Sequence, residues 1–396
     1  MGQPLDGIRV LDLSRVLAGP YCTMTLSDLG AEVIKVEQPG SGDDTRHWGP
    51  PWTGGESAYY LAANRNKLGI TVNLKDERGQ AIIRELARQS DIVVENFKVG
   101  ALDRMGLGYA TLGALNPGLI WCSITGYGQD GPYADRAGYD VIAQAESGIM
   151  SVTGDPAGEP MKVGIAIVDI TTGLYASTAI LAALHAREES GRGQRIDVAL
   201  LSSAVAWLVN VGSCYLASGE LPQRYGNAHA NLVPYQTFQA RDRWITVGVG
   251  NDRQFQALCR ILGLDELPAD ERFATNPQRV ANRDALIPLL QDAFSRGDAD
   301  DWLARLAAAG IPSGPINTVD LALSHPQIEH RGMVVELPHP TAGTVRLVGP
   351  PFILSETPAG VRSAPPLLGE HTDRVLRERL GLPDEEIASL HAEGVV

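Results

Sequence analysis

The sequence predicts an α/β protein with a Rossmann-like large domain, built on a parallel sheet, and a smaller α+β domain. Short apolar runs alternate with amphipathic helical patterns through the first third of the chain. Alternation of this kind is typical of a parallel sheet covered by helices. A passage rich in Gly, Pro and polar residues follows near residue 219, and mixed strand and helix patterns resume beyond it. This change of pattern indicates a second domain.

The elements of the large domain follow each other closely. In chain order they read as strand IRVLDL, a helix from about Gly19, strands EVIKVE and GITVN, a helix from Asp76, and strands DIVVEN and GLIWCSITG. A helix after Asp169, the strand QRIDVAL and an apolar helix from Leu201 to Ser218 complete it. The nearest glycine cluster lacks the GxGxxG spacing of a dinucleotide-binding loop, so we expect no nicotinamide cofactor.

The later patterns set the domain boundaries. We predict a large α/β domain over residues 1–218, a linker over 219–232, a small α+β domain over 233–323, and a linker with a C-terminal part over 324–396. The small domain has two predicted strands around WITVGVG and helices near 252–262, 281–296 and 299–309. Two further helices are predicted near 372–380 and 384–392.

Composition excludes several classes of partner. A net charge of -14 argues against nucleic-acid binding, which requires a basic face. The chain has no run of about 18 uninterrupted apolar residues and no signal-peptide core, so we expect no membrane partner and a cytoplasmic location. No histidine pair has metal-ligand spacing, and four widely separated cysteines suggest neither a disulfide framework nor a zinc site: Cys22, Cys122, Cys214 and Cys259. We therefore predict no metal.

Asp169 is the most informative single residue, because it closes an apolar run, GIAIV, and begins a helical pattern. One interpretation is structural, since aspartate is a favoured N-cap residue. The alternative is chemical: a carboxylate among apolar neighbours is poorly solvated and therefore more nucleophilic. The positive end of the helix would oppose the rise in pKa that burial causes, so we expect this carboxylate to stay ionised. The residues alone leave both interpretations open.

Eight ordered blocks, spread over essentially the whole chain, resemble one known family. They are LDLSRVLAGPYCTMTLSDLGAEVIKVE, GSGDDTR, NRNK, VENF with ALDRMGLGY, SITGYGQDGPYADRAGYD, Asp169, ESGRGQRIDV and PPLLGEHTDRVL. The family is that of the class III CoA-transferases, which includes formyl-CoA, carnitine and bile-acid CoA-transferases. Through RYGNAHANLVPYQTFQ and GDDTRHWGPPW the chain most resembles the succinate-hydroxymethylglutarate (glutarate) type.

The resemblance implies a mechanism and an assembly. It makes Asp169 the nucleophile that carries the acyl group as a mixed anhydride, with an acyl-CoA and a free carboxylic acid as substrates. It also implies that the C-terminal part returns to the large domain and that two chains form an interlocked homodimer.

The resemblance further implies a site for coenzyme A, with Arg104 as partner of the nucleotide phosphates, because a guanidinium donates two bonds at once. The other implied CoA contacts are Val16, Ala18, Asn96, Phe97, Ala101 and Met105. Lys67 and Arg46 are secondary candidates. The alternative for Arg104 is a solvated helix arginine.

Specificity is expected at Arg15 and Leu17, where formyl-CoA relatives carry His and Gln. A fixed positive charge at Arg15 would pair with the second carboxylate of a dicarboxylic acid such as succinate, glutarate or hydroxymethylglutarate; the alternative is a structural ion pair. In formyl-CoA and oxalate relatives a run of glycines matches His229-Ala230-Asn231-Leu232 here, which disfavours formyl-CoA:oxalate transfer and leaves the oxyanion donors unidentified.

Tyr139 and Asp140 match residues near the family's active site, and Tyr139 separates two chemistries. The α-methylacyl-CoA racemases resemble the same family and carry a histidine at this position. Tyrosine has a pKa near 10 and is a poor base at neutral pH. Racemisation is therefore the second interpretation, and a non-catalytic CoA-binding module is the third. No GxSxG elbow occurs, so a serine thioesterase is disfavoured.

Overall fold

The computed structural model describes residues 2–396. Within this range the strands are β1 (Arg9–Asp12), β2 (Glu32–Glu37), β3 (Trp52–Thr53), β4 (Glu56–Ser57), β5 (Lys67–Thr71), β6 (Ile92–Glu95), β7 (Ile120–Thr125), β8 (Arg195–Ala199), β9 (Tyr235–Gln239), β10 (Trp244–Gly248), β11 (Ser313–Pro315), β12 (Val334–His339) and β13 (Gly343–Val348).

The helices of the same range are α1 (Ala18–Asp28), α2 (Ala58–Leu61), α3 (Glu77–Arg88), α4 (Ala101–Arg104), α5 (Tyr109–Leu115), α6 (Asp140–Glu146), α7 (Ile149–Val152), α8 (Ile167–Ser190), α9 (Leu200–Ala206), α10 (Val209–Ser218), α11 (Asp252–Leu262), α12 (Asn276–Ala281), α13 (Arg283–Phe294), α14 (Ala299–Ala308), α15 (Val319–Leu323), α16 (Pro326–His330), α17 (Thr372–Leu380) and α18 (Asp384–Ala392). Short 3-10 turns lie at Asp44–His47 and Leu267–Ala269.

The large sheet has six parallel strands in the order β5-β2-β1-β6-β7-β8. Numbered along the chain, these strands lie in the order 3-2-1-4-5-6, which is the strand order of the Rossmann fold. The predicted Rossmann-like parallel sheet is thereby confirmed. β1 has β2 on one side and β6 on the other, so the chain reverses its direction of winding next to β1. In open α/β sheets, ligand sites form at the carboxyl ends of the strands beside such a reversal.

Both faces of this sheet are covered. Alternate residues of β1 point to opposite faces: Leu11 packs in a core with α3, α17 and α18, and Val10 packs in a core with α1 and α8. Parallel strands covered on both faces are nearly continuously apolar, as the first three residues of β6, Ile92-Val93-Val94, are here. The chain ends inside the first core, where Val395 and Val396 are buried.

The chain divides into two compact units. The first comprises Met1–Ile149, Val163–Gly212 and Pro326–Val396, and the second comprises Met150–Lys162 and Ser213–His325. The second unit contains the antiparallel sheet β11-β10-β9. Its core includes Arg279, which is 1% exposed and donates to carbonyls of Val233 and Phe273 and to the carboxylate of Asp252. Residues 150–162 lie in this unit, whereas the sequence pattern placed them within 1–218.

Three local predictions differ from the structure. The helix predicted over 201–218 is interrupted at residues 207–208 and forms α9 and α10, and α10 has no buried residue. The strand-like run before Asp169 is irregular, with the helix beginning at Ile167, because a short apolar run does not by itself distinguish strand from helix. The hairpin β12–β13 occupies the Pro- and Gly-rich passage after residue 324.

By length and composition α8 could cross a membrane, and so could α9 and α10 taken together as one bent span. The most apolar 18 residues of α8 have a mean hydropathy of 1.6, and half of that window is buried in the fold. In the first unit α8 packs against α1 through Gly173, where a Cβ atom would lie 2.6 Å from the carbonyl oxygen of Ala18. The buried half of α8 therefore belongs to the core beneath the sheet.

Candidate active site

A cleft of about 190 Å³ lies at the carboxyl edge of the large sheet, where the strand order reverses. The loop after β1, the loop after β6 and the end of β7 form its walls, and Asp169 enters from α8. The lining includes eight residues that the sequence singled out: Arg15, Val16, Leu17, Ala18, Asn96, Phe97, Tyr139 and Asp169. The topology thus brings together side chains that are far apart in the chain.

Asp169 is the third residue of α8, and its carboxylate does not cap the helix. The cap is Asp140, the first residue of α6: Oδ1 of Asp140 accepts from the backbone N–H groups of Val168 (2.7 Å) and Asp169 (3.1 Å). Its Oδ2 accepts from Nε2 of Gln144 at 2.6 Å. Among residues 2–396 no donor lies within hydrogen-bonding distance of the Asp169 carboxylate. That carboxylate is therefore available to a ligand in the cleft.

The electrostatic state of Asp169 follows from the same arrangement. Burial, reinforced by the negative charge of Asp140, raises the pKa of Asp169 from 3.8 to about 7. Leu17 and Leu200, both buried, line the cleft together with charged residues that include Arg15 and Lys98. The sequence suggested that the helix N-terminus could keep this group ionised. With a pKa of about 7, raised by burial and by the charge of Asp140, the carboxyl is instead only partly ionised at neutral pH.

The loop between β1 and α1 is held from beneath by side chains of three different strand ends. Asp12 accepts from the backbone N–H and hydroxyl of Ser14 (2.9 and 2.5 Å), and Nζ of Lys35 donates to the Ser14 carbonyl (3.0 Å). Asn96 makes a reciprocal pair with the backbone of Arg15: Oδ1 accepts from its N–H (3.0 Å) and Nδ2 donates to its carbonyl (2.8 Å). Residues 14 and 15 are thus fixed on both sides.

Val16 completes this loop in an unusual conformation. Its φ of +69° lies in the left-handed region, which is unfavourable for a β-branched residue. Its N–H points to both carboxylate oxygens of Asp43, each at 3.2 Å, and Asp43 is paired with the fully buried Lys35. Strained backbone of this kind persists only where its surroundings determine it, and it is frequent at functional sites.

The two secondary CoA contacts, Lys67 and Arg46, have structural roles instead. Lys67 is 1% exposed, and its Nζ donates to Asp12 (3.1 Å) and to the carbonyl of Pro20 (2.9 Å). Arg46 binds both carboxylate oxygens of Glu37 at 2.8 Å. Neither cation is free to meet a phosphate. Their partners lie on other strands and loops, which a sequence pattern does not bring together.

A second cavity, of about 310 Å³, adjoins the cleft and shares Arg15, Asp44 and Phe97 with it. Met105 and Lys75 line this second cavity. Ala101 and Arg104, both on α4, line neither of the two cavities as described here, and Arg104 is exposed. The residues assigned to CoA thus divide between a cleft, a neighbouring cavity and an exposed helix.

Two aromatic residues of this site were missed by the sequence patterns. Burial, together with the charges of Asp169 and Asp140, raises the pKa of Tyr59, which places its phenol beside both carboxylates. Trp48 packs edge-on against Tyr59 with ring centroids 5.0 Å apart. The two side chains are 40% and 36% exposed, and nothing in HWGPPW or in ESAYY relates them to Asp169, which lies far along the chain on α8.

The segment His229-Ala230-Asn231-Leu232 lies in the second compact unit. There the N–H of His229 donates to the carbonyl of Tyr235 (2.9 Å), and Nδ1 of His229 accepts from the N–H of Asn231 (3.0 Å). The His229 and Tyr235 rings meet edge-on. Over residues 2–396, no group of three or more His, Cys, Asp or Glu side chains is arranged to hold a metal ion.

Comparison with known proteins identifies the family of this chain. The model of CoA-transferase family III matches residues 5–372. The chain is 48% identical to succinyl-CoA:glutarate CoA-transferase of Homo sapiens, over all of this chain and 90% of that protein. It is 47% identical to succinate–glutarate CoA-transferase of Agrobacterium fabrum, over 95% of each chain. A CaiB/BaiF family protein of Brucella suis has a similar structure, with a TM-score of 0.87 and 47% identity over 96% of this chain and 100% of that one.

The conformation of Val16 leads to a stability prediction. Val16→Gly and Val16→Ala remove similar bulk, but only glycine adopts a φ of +69° without steric cost. We expect the free energy of unfolding of the glycine variant to exceed that of the alanine variant by about 1 kcal/mol. Denaturant unfolding measures this. The same two substitutions at Val335 in β12 are the control and should give the opposite order, because glycine weakens a strand. If glycine were more stable than alanine at both positions, or less stable at both, the left-handed conformation of Val16 would not explain the difference.

Proposed function

Because this chain belongs to CoA-transferase family III, we propose that it transfers CoA from an acyl-CoA thioester to a dicarboxylic acid of the succinate, glutarate or hydroxymethylglutarate type through an anhydride on Asp169. The chain is a CoA-transferase, since its family and its close relatives are. The covalent intermediate and the identity of the acids are the proposed parts. Relatives named for succinate and glutarate, at 47 and 48% identity, support the choice of acids.

The observation that carries the proposal is the state of Asp169. Its carboxylate has no hydrogen-bond donor among residues 2–396, faces a cleft, and has its pKa raised to about 7 by burial. A structural aspartate would cap a helix, as Asp140 does, or pair with a cation, as Asp43 does. A poorly solvated carboxylate loses little hydration free energy when it attacks. Near neutral pH a large fraction of a carboxyl with this pKa is ionised.

The proposed reaction keeps the free energy of the thioester in covalent bonds. A carboxylate oxygen of Asp169 attacks the thioester carbonyl, the C–S bond breaks, and CoA leaves as the thiolate. The thiolate then attacks the aspartyl carbonyl of the resulting anhydride, which releases the donor acid and leaves an aspartyl-CoA thioester. The acceptor acid reverses these two exchanges and departs as its CoA thioester. The overall transfer is nearly isoenergetic, because one CoA thioester is exchanged for another, and hydrolysis of the intermediates is avoided only if the cleft excludes water.

We place the nucleotide end of CoA in the second cavity and the thioester in the cleft. The two spaces share Arg15, Asp44 and Phe97, so a single extended ligand can pass from one to the other. Lys75 supplies a positive charge at the second cavity. Arg104 does not line this cavity, but it is exposed on α4 immediately before Met105, which does, and we propose it as the partner of the nucleotide phosphates.

Arg15 is the proposed determinant for a dicarboxylic acid. Its side chain is 59% exposed and lines the cleft together with Asp169. Two hydrogen bonds with Asn96 fix the backbone of Arg15, so the position from which its side chain extends into the cleft is defined. An acid whose reacting carboxylate meets Asp169 would place its second carboxylate toward this charge.

The second candidate function is racemisation of an α-methylacyl-CoA, which needs an acid or base on each face of the α-carbon. Tyr139 lines the cleft with Asp169 and is 63% exposed. A phenol is protonated at neutral pH and is therefore a poor proton acceptor. Incubation of a chiral 2-methylacyl-CoA in deuterated water separates the two functions, since only a racemase exchanges the α-proton.

We also propose a homodimer of interlocked chains. Large apolar side chains remain exposed on α8, with Leu174, Tyr175 and Leu181 exposed by 37 to 44%. Residues of α10 are unburied throughout, including Leu216 at 85% exposure. Exposed apolar surface on this scale is typical of a protein interface.

Asp169→Asn tests the covalent role. We expect transfer activity to fall by at least about a thousandfold, because the amide cannot form the anhydride. Incubation of the wild type with acyl-CoA and hydroxylamine should label Asp169 as a hydroxamate, detectable by peptide mass spectrometry, and the variant should stay unlabelled. Asp76→Asn, at the N-cap of α3, is the matched control and should keep both activity and labelling. Substantial activity in the Asp169 variant would falsify the assignment.

The same substitution should stabilise the fold. A carboxyl whose pKa is raised by folding from 3.8 to about 7 opposes folding above its unfolded value, and the penalty grows until the pH passes about 7. Asparagine has no such penalty. We expect Asp169→Asn to be about 2 to 4 kcal/mol more stable than the wild type at pH 8, and near equal at pH 4. Unfolding at the two pH values measures the difference.

The pH dependence of catalysis tests the influence of Asp140. The nucleophile must be ionised, so kcat/KM should rise with pH, reach half its plateau near pH 7, and level off above pH 8. Asp140→Asn keeps an oxygen for the two N–H groups of α8 but removes the charge, which lowers the pKa of Asp169 and moves the midpoint to lower pH. Asp76→Asn is again the control. An unmoved midpoint in the Asp140 variant would mean that its charge does not reach Asp169.

Arg104→Ala tests the phosphate contact. We expect KM for the acyl-CoA to rise about tenfold, the loss of one charge-assisted pair, with kcat within about twofold. An acyl-pantetheine, which lacks the nucleotide phosphates, should be used equally well by variant and wild type. Arg88→Ala, which removes another exposed arginine, from α3, is the control. Equal losses with both thioesters would place Arg104 outside the nucleotide site.

A further inference from the structure

Arg15 does not stand alone in the cleft, because its guanidinium is already paired. Nη1 of Arg15 donates to Oδ2 of Asp44 at 3.1 Å, and the two side chains are 59% and 54% exposed. Both residues line the cleft that contains Asp169 and also the neighbouring cavity. The pair therefore lies at the passage between the two spaces.

The pairing uses only part of the guanidinium. A guanidinium presents five N–H donors in a planar fork. Within residues 2–396 this side chain donates only to Asp44, through one nitrogen, so Nε and Nη2 remain open to a ligand. A single-nitrogen pair that is more than half exposed stabilises the fold little. It is consequently easy to exchange for a better acceptor.

Asp44 itself sits on a rigid base. It is the first residue of the 3-10 turn Asp44–His47, whose N-cap is the buried Asp43. Asp43 accepts from the N–H and hydroxyl of Thr45 (3.0 and 2.8 Å) and pairs with Lys35 at 2.9 Å. The backbone on either side of the pair is thus fixed, on one side by Asn96 and on the other by Asp43. Only the two side chains can rearrange.

We propose that Asp44 is a specificity-determining residue that competes with the distal carboxylate of the acid substrate for Arg15. This inference rests on the proposed dicarboxylate function. A dicarboxylic acid supplies a second carboxylate that takes over the guanidinium, while its first carboxylate meets Asp169. A monocarboxylic acid has no group that displaces Asp44, so the Arg15–Asp44 pair stays closed and contributes nothing to its binding.

The competition has a direction that can be measured. The Asp44 carboxylate repels an anion that approaches Arg15 and neutralises part of the attracting charge. Replacing it by the isosteric amide removes both effects. We expect Asp44→Asn to lower KM for glutarate by about three- to tenfold at low ionic strength, with kcat within about twofold. The effect should shrink as salt is added, because exposed charges are screened.

The experiment compares glutarate with pentanoate, which has the same chain length and one carboxylate, as acceptors with a fixed succinyl-CoA donor. For pentanoate, KM should be equal in the wild type and Asp44→Asn. Glu85→Gln is the matched control, since Glu85 also forms an exposed pair with an arginine, Arg88, at 3.2 Å on α3. This variant should leave both KM values unchanged. An unchanged or raised KM for glutarate in Asp44→Asn would overturn the inference.

A double-mutant cycle with Arg15→Ala separates this inference from the proposed function. If Asp44 acts through Arg15, the Asp44→Asn effect on glutarate disappears in the Arg15→Ala background. If the effect persists there, Asp44 acts as a general charge and the inference fails, while the dicarboxylate function stands. If Arg15→Ala alone leaves the preference for glutarate over pentanoate intact, Arg15 does not determine the preference for a dicarboxylic acid. The proposed role of Arg15 and the proposed competition by Asp44 then both fail. CoA transfer through Asp169 is unaffected by either outcome.

Discussion

A network of buried, oppositely charged side chains under the carboxyl edge of the sheet determines the geometry of the cleft. Lys67 pairs with Asp12 and Lys35 pairs with Asp43, and all four side chains are fully buried. Burial alone would raise the pKa of Asp12, but the charges of Lys67 and Lys35, together with hydrogen bonds from the hydroxyls of Ser14 and Thr23, keep the pKa below its ordinary value. A buried pair of this kind is costly to break, because each partner would be left uncompensated.

The consequence is a loop that cannot relax. Ser14 and Val16 are hydrogen-bonded to residues of this charged network, and Arg15 between them is hydrogen-bonded to Asn96. The left-handed conformation of Val16 is the local cost, which the ion pairs around it offset. Blocks as distant in sequence as LDLSRV, EVIKVE, GSGDDTR, NRNK and VENF thus meet in one network. Their shared role is to hold three residues of a single loop.

Asp169 shows the opposite electrostatic condition. The buried carboxylates beneath the loop have cationic partners and lowered pKa values, as at Asp12 and Asp43. Asp169 is largely buried and lies near a second carboxylate, Asp140, and both conditions raise its pKa. The fold therefore places one unpaired acidic group next to several paired ones. Because Lys35 and Lys67 are already paired with Asp43 and Asp12, neither lysine is available to form an ion pair with Asp169.

The sequence predicted those features that depend on local pattern. Alternating apolar runs predicted the parallel sheet, and amphipathic spacing predicted α11, α17 and α18 with nearly their observed bounds. It did not predict features that depend on tertiary contacts. The role of Asp140 as cap of α8 spans 28 residues, and the burial of Lys67 depends on Asp12, which is 55 residues away. An isolated lysine in NRNK carries no sign of such a partner.

The strand order explains why this cleft can serve covalent chemistry without a dinucleotide-binding loop. In the Rossmann arrangement the crevice beside β1 receives a ligand whatever the loop sequence, because the windings on either side diverge there. Here the loop after β1 reads SRVLAGP, and its Val16 adopts the positive φ that a glycine would adopt more easily. The backbone geometry is thus achieved by buried ion pairs, and side chains such as Arg15 and Leu17 occupy positions that glycines would leave empty. α8, pressed against α1 through Gly173, then brings Asp169 into the same crevice.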